Sequence, residues 1–205
     1  MTLATLQSSL GTGFSDPVQS SQAVFRSVMN ALARPGSVHT IAEAVKAPSL
    51  MMPATAAVAL ALFDHDTPIW LDQDFAREAD MASWLRFQTG APLTADASQA
   101  SFALIAKGSA LPAFETFALG SPEYPDRSTT LVVQAETLTE GHGLTLSGPG
   151  IQGTSILQAD PLPHDFAARM QANRALFPLG VDLLLVSGND LVALPRSTLV
   201  AAKEM

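Results

Sequence analysis

Two apolar runs near the C-terminus, residues 181–186 and 191–194, are separated only by Ser187-Gly188-Asn189-Asp190. Runs of this kind across a short polar link form a hairpin, and 181–186 is the most apolar strand candidate in the chain. Residues 129–135, β-branched and apolar, predict a further strand. Residues 144–147 alternate and predict a half-buried strand, expected to pair antiparallel with 129–135 across a turn at Glu140-Gly141-His142-Gly143. Shorter strands are expected at 38–41, 67–71 and 102–106. Pro68 lacks an N–H and belongs at a strand start or on an edge.

Helices concentrate in the first half. Asp16 is a good N-cap, Pro17 fits the first helical position, and Gln19 completes a capping box. Val24, Phe25, Val28, Met29 and Leu32 then recur with the helical period, Arg34 lies in the last turn, and Pro35-Gly36 stops a helix over 17–33. Pro53 opens an alanine-rich second helix through Phe63 that packs closely on several sides. A third lies within 75–88, with Met81, Trp84, Leu85 and Phe87 inward and Gly90 and Pro92 ending it. Residues 112–119 form a short helix or turn, and a later helix spans 163–174. The chain after Pro195 reads as a closing arm. Helices before residue 90 and strands after 125 do not alternate as a strict βαβ series would. The fold class is therefore α/β: one domain, a mixed sheet flanked by helices. Residues 1–14 form an N-terminal arm, 15–200 the domain and 201–205 a tail; Leu3, Leu6 and Leu10 give the arm weak docking points.

At 205 residues the chain buries about 70% of its unfolded surface without staples. It has no cysteine, which excludes disulfides, thiolate metal sites and cysteine nucleophiles, and fits a reducing compartment. Charged residues are only 15%, against about 25% in ordinary domains, which points to a surface that faces protein. The net charge of −8 disfavours nucleic acid and anionic membranes as partners. The first fifteen residues carry no Lys or Arg, and the longest apolar stretch, 51–63, falls short of the roughly 20 residues of a span; a cytoplasmic location follows.

Few residues suggest chemistry. Extended, Asp64 and Asp66 place two carboxylates on one side with His65 opposite; the plainer reading is an Asx-type turn entering a strand. Gly148, Gly150 and Gly153 match a dinucleotide fingerprint in spacing, but 154–158 is too short for the helix it requires and no Gly-Lys-Ser/Thr follows; a tight turn or an anion nest remains. No Gly-x-Ser-x-Gly elbow occurs, and no two histidines have zinc-motif spacing. Lys107 follows a strand as a cofactor lysine would, yet no phosphate nest or acidic partner for a ring nitrogen is identifiable. Arg196, after Pro195, is a guanidinium suited to an interface ion pair, an exposed role or an anion clamp. No catalytic, cofactor-binding or metal residue is assigned. The candidate anion or interface residues are Asp64, Asp66, Gly148, Gly150, Gly153 and Arg196.

Five segments in series carry a resemblance. They are Phe25-Arg26 through Ala33-Arg34-Pro35-Gly36; Leu62-Phe63-Asp64-His65-Asp66-Thr67-Pro68-Ile69-Trp70-Leu71; Leu85-Arg86-Phe87-Gln88-Thr89-Gly90-Ala91-Pro92-Leu93; Leu144-Thr145-Leu146-Ser147-Gly148-Pro149-Gly150-Ile151; and Phe177-Pro178-Leu179-Gly180-Val181-Asp182 through Ala193-Leu194-Pro195-Arg196-Ser197-Thr198. In this order they resemble the PhnH family, subunits of the bacterial carbon–phosphorus lyase core complex, over about residues 15–200. The resemblance implies a non-catalytic accessory subunit in phosphonate catabolism. Its complex, with subunits G, I and J, joins an alkylphosphonate to the ribose C1 of ATP, giving alpha-D-ribose 1-methylphosphonate 5-triphosphate when methylphosphonate is used. It also implies a reduced pyridoxal-phosphate transferase large domain without the cofactor, a homodimer when isolated, and no catalytic residue to carry over. Whether the chain has activity of its own stays open. The competing expectations are a stand-alone enzyme or binder of a phosphorylated small molecule, using the 148–153 loop and Arg196, and a plain homodimeric domain of unrelated role.

Overall fold

The computed structural model describes residues 13–43 and 45–202. Its elements run α1 (Pro17–Ala33), β1 (His39–Thr40), α2 (Pro53–Leu62), β2 (Ile69–Leu71), α3 (Gln73–Arg77), α4 (Met81–Thr89), β3 (Phe102–Ile105), β4 (Thr130–Gln134), β5 (Thr137–Ser147), β6 (Ser155–Asp160), α5 (Phe166–Ala175), β7 (Asp182–Ser187), β8 (Asp190–Leu194) and β9 (Leu199–Ala202). Short 3₁₀ turns occupy Ala97–Gln99, Gly108–Ala110 and Phe114–Thr116. The expected arm lies outside the described residues except for Gly13 and Phe14, and Phe14 packs on the core. Of the expected tail, Ala201 and Ala202 extend β9; 203–205 lie outside the described residues.

The main sheet has six strands in the order β1-β8-β7-β4-β3-β2. β2, β3, β4 and β7 are parallel, and β8 and β1 close one side antiparallel, so the sheet is mixed. Side-chain alternation sorts its residues into two cores. Leu104, Val132, Leu184, Val186, Leu191 and Ala193 face α1, α2 and α4. Ala103, Ile105, Leu131, Val133, Leu183, Leu185, Val192 and Leu194 face the other way, onto α5 and a second sheet. Both faces are covered, which is why these strands read as continuous apolar runs rather than alternating ones.

The second sheet, β6-β5-β9, corrects the expected pairing of 144–147 with 129–135. β4 pairs with β3 and β7, while β5 pairs antiparallel with β6 and β9. Glu140 to Gly143 is no turn. β5 runs through it, with a register shift between Glu140 and Leu144 that Gly141 and Gly143 permit at φ values of 102° and 96°. The closing arm is also corrected: it supplies β9, which pairs with β5.

Helix α1 spans the expected residues, and the Asp16 carboxylate accepts from Gln19 N at 3.1 Å. The helix expected within 75–88 is two helices. Asp72 caps α3 by accepting from Phe75 N at 2.9 Å, and Glu78, with ψ 117°, breaks the helical path before α4. Phe87 does not face inward; it is 54% exposed.

Candidate functional site

Open α/β sheets bind ligands beyond the carboxyl ends of their parallel strands. Here that edge is filled by the chain itself. Gln134, buried at the end of β4, accepts from Met52 N at 2.7 Å and donates to Leu50 O at 3.0 Å. Ala54 N donates to Gly188 O, just past β7. Trp84 on α4 donates its indole N–H to Lys46 O at 3.1 Å. The segment around residues 46–54 is thereby strapped over the strand ends. A Cβ at Gly108 would collide with Pro161 O, so the turn after β3 is closed as well.

Asp72 and Asp74 also stand at this edge. Asp72 is buried between β2 and β3 and accepts from Ala106 N at 2.8 Å as well as from Phe75 N. Burial pushes its carboxyl above the usual aspartate range, opposed by these two N–H donors. Asp74 pairs with Lys107 at 2.9 Å. The hydrogen bond between them lowers the Asp74 pKa and raises that of Lys107. Lys107 therefore sits after a strand, as the sequence suggests, but its ammonium faces a surface carboxylate rather than a ligand cradle.

Arg196 is the most fully bonded side chain among the sequence-derived candidates. Its Nε and Nη2 clasp the Asp182 carboxylate at 3.1 and 2.6 Å, and Asp182 also accepts from Arg196 N at 2.7 Å. Nη1 donates to Pro125 O at 2.9 Å and Pro178 O at 3.1 Å, and Nη2 to Ser128 Oγ at 2.5 Å. All five guanidinium N–H groups are thus engaged. They tie the turn after β8 to the loop before β4 and the turn before β7. An external anion at Arg196 would have to displace one of these partners.

The glycine loop lies against both flanking turns. A Cβ at Gly148 would stand 3.1 Å from Ser197 O, and one at Gly150 would collide with Ala33 O at the end of α1. Gly150 has φ 82°, so the loop needs glycine there for backbone conformation and for close approach. Gly153, with open space around its Cα, faces none of these groups. The 148–153 loop and the 195–198 turn are therefore neighbours. Asp64 and Asp66 stand apart from them, ahead of β2 at the far edge of the sheet, with three strands between β2 and β8. They form a turn: Asp66 N donates to Asp64 Oδ1 at 2.9 Å and Thr67 Oγ1 donates to Asp64 O at 3.0 Å. Among the described residues, no three His, Cys, Asp or Glu side chains converge as a metal-binding group.

Sequence reading missed Asp72, Gln134 and Asn173. Asn173, buried on α5, holds the Val181 backbone through two bonds of 2.9 Å. A polar residue closing an apolar strand run, as Gln134 does, was the available signal; nothing in the sequence marks Asn173.

The comparisons with known proteins fit this architecture. The family described as "Bacterial phosphonate metabolism protein (PhnH)" matches residues 12–201. The chain belongs to the PhnH family. A relative in Rhizobium meliloti (strain 1021), "Alpha-D-ribose 1-methylphosphonate 5-triphosphate synthase subunit PhnH", is 44% identical over 195 residues, covering 95% of this chain and 97% of the relative. The "Putative C-P lyase subunit protein HtxG" of Stutzerimonas stutzeri is 34% identical over 182 residues, covering 89% and 86%. Both likenesses span nearly the whole PhnH domain rather than one motif.

Proposed function

We propose that this chain is a non-catalytic subunit of a carbon–phosphorus lyase core assembly, supporting alpha-D-ribose 1-methylphosphonate 5-triphosphate synthesis in phosphonate breakdown. The carrying observation is the 44% identity to a subunit of that synthase over 97% of the relative's length. The closed carboxyl edge of the parallel strands supports it, because the usual place for a ligand is occupied by Leu50, Met52 and Gln134. So does the arginine clamp, whose donors are spent within the fold. The four parallel strands support the reading of a reduced pyridoxal-phosphate transferase domain.

The proposed partners are the G, I and J subunits, and a second copy when the chain is isolated. Its place is the cytoplasm, in line with the finding that no described helix is long and apolar enough to cross a membrane. In this reading the 148–153 loop and the turns at Asp64, Asp66 and Arg196 are shape elements of contact surfaces. The alternative of a stand-alone binder of phosphorylated small molecules needs Arg196 to leave its internal partners. The chain is expected to co-elute with G, I and J when expressed with them. Elution of the chain separate from all three would contradict the assignment.

A further inference from the structure

Helix α1 is apolar on two sides, and only one is used. Val24, Val28 and Ala31 are buried against the sheet and α2. Val18, Phe25 and Met29 lie on another face, 80%, 51% and 49% exposed. Their spacing, i, i+7 and i+11, aligns them in one stripe about 16 Å long, with Gln22 between them. Helices that dock into apolar surfaces present anchors of this kind, and Phe and Met are enriched in the centres of interfaces.

The charge on α1 narrows what covers this stripe. Arg26 is the helix's only charged residue, exposed beside the stripe, and Arg34 stands at the C-cap. Among the described residues, no hydrogen bond or ion pair engages the Arg26 guanidinium. α1 contains no carboxylate, and the Asp16 side chain at its N-cap is taken up by Gln19 N. An apolar, basic face thus stands on a chain of net charge −8.

We infer that the outer face of α1 is the surface by which this subunit docks on another protein of its assembly, and that the partner presents an apolar patch bordered by carboxylates. The inference rests on the subunit reading and names the surface it uses. Two other occupants fit the charge less well. A second copy pairing through the same helix would bring Arg26 at most the Asp16 carboxylate, one oxygen of which already accepts from Gln19 N. Residues 1–12 of this chain contain no Asp or Glu either.

The test uses the full chain co-expressed with the G, I and J subunits, and compares Phe25→Asp, Arg26→Glu and, as a control on α4, Phe87→Asp. Phe25→Asp is expected to weaken association at least tenfold. Arg26→Glu is expected to weaken it several-fold and to flatten its salt dependence, while Phe87→Asp leaves it unchanged. All three side chains are exposed, so melting temperatures should stay close to that of the wild type. Wild-type association with Phe25→Asp and Arg26→Glu equally competent overturns the inference and leaves the subunit reading standing. Loss with Phe25→Asp and no effect of Arg26→Glu overturns the acidic partner chemistry. Loss of self-association alone, with the other subunits still bound, overturns it in favour of a second copy. A wild-type chain that binds none of the three subunits overturns the subunit reading itself.

Discussion

Arg196→Ala is expected to lower the unfolding free energy by about 3 kcal/mol, as removal of one partner from a largely buried ion pair does. In a chain of this length that is a fall in melting temperature of roughly 6–12 °C. The side chain is 13% exposed, so water cannot easily replace it. Its loss leaves the Asp182 carboxylate without its guanidinium and the carbonyls of Pro125 and Pro178 without a donor. Arg196→Lys should recover only part of the loss, because an ammonium cannot serve both carboxylate oxygens and two carbonyls in one plane. Calorimetric scans of the three proteins check this. A melting temperature for Arg196→Ala within 2 °C or so of the wild type would show that the clamp does not hold the three turns together.

Trp84→Ala should cost more, about 4 kcal/mol, since it combines a large cavity with the loss of a hydrogen bond. Trp84 is buried in the helical core and reaches the strap through Lys46 O. Trp84→Phe keeps most of the packing and gives up the bond, so its cost should be near 1 kcal/mol. Urea unfolding curves separate the two effects. Equal midpoints for both variants would mean that packing at this site contributes little, and midpoints equal to that of the wild type would mean that the closed edge of the sheet does not depend on Trp84.

Much of the fold was legible in the sequence where local chemistry decided it. The bounds of α1 follow from Asp16, Pro17 and the Pro35-Gly36 stop, and the β7–β8 hairpin from its polar link. The failures lie where partners are distant in sequence. Residues 129–135 and 144–147 are both apolar and close together, so a hairpin was the economical reading. What decides against it is the far end of the chain: β7 takes one side of β4, and β9 takes one side of β5. Glycines 141 and 143 read as turn residues, but in β5 they accommodate a bulge. Phe25 and Met29 fit the helical period and gave no sign of facing outward, because period alone does not say how many faces of a helix are covered.

The candidate residues show the same limit. Arg196 was identifiable as a restrained arginine after a proline, and Asp182 lies in the same resembling segment, yet nothing in the spacing joined them. Their pairing depends on β7 and β8 lying side by side, with Leu183 opposite Leu194. The spacing of Gly148, Gly150 and Gly153 suggested a nest, whereas Gly150 is required because α1 ends against it.

The central claim is that this chain contributes surface and not reactive groups. Its most direct test is turnover of methylphosphonate and ATP by the purified chain, beside the chain combined with G, I and J. The account predicts product only from the combination, with none from the chain alone at any concentration. Product formed by the isolated chain, and abolished by a substitution within it, would contradict the account.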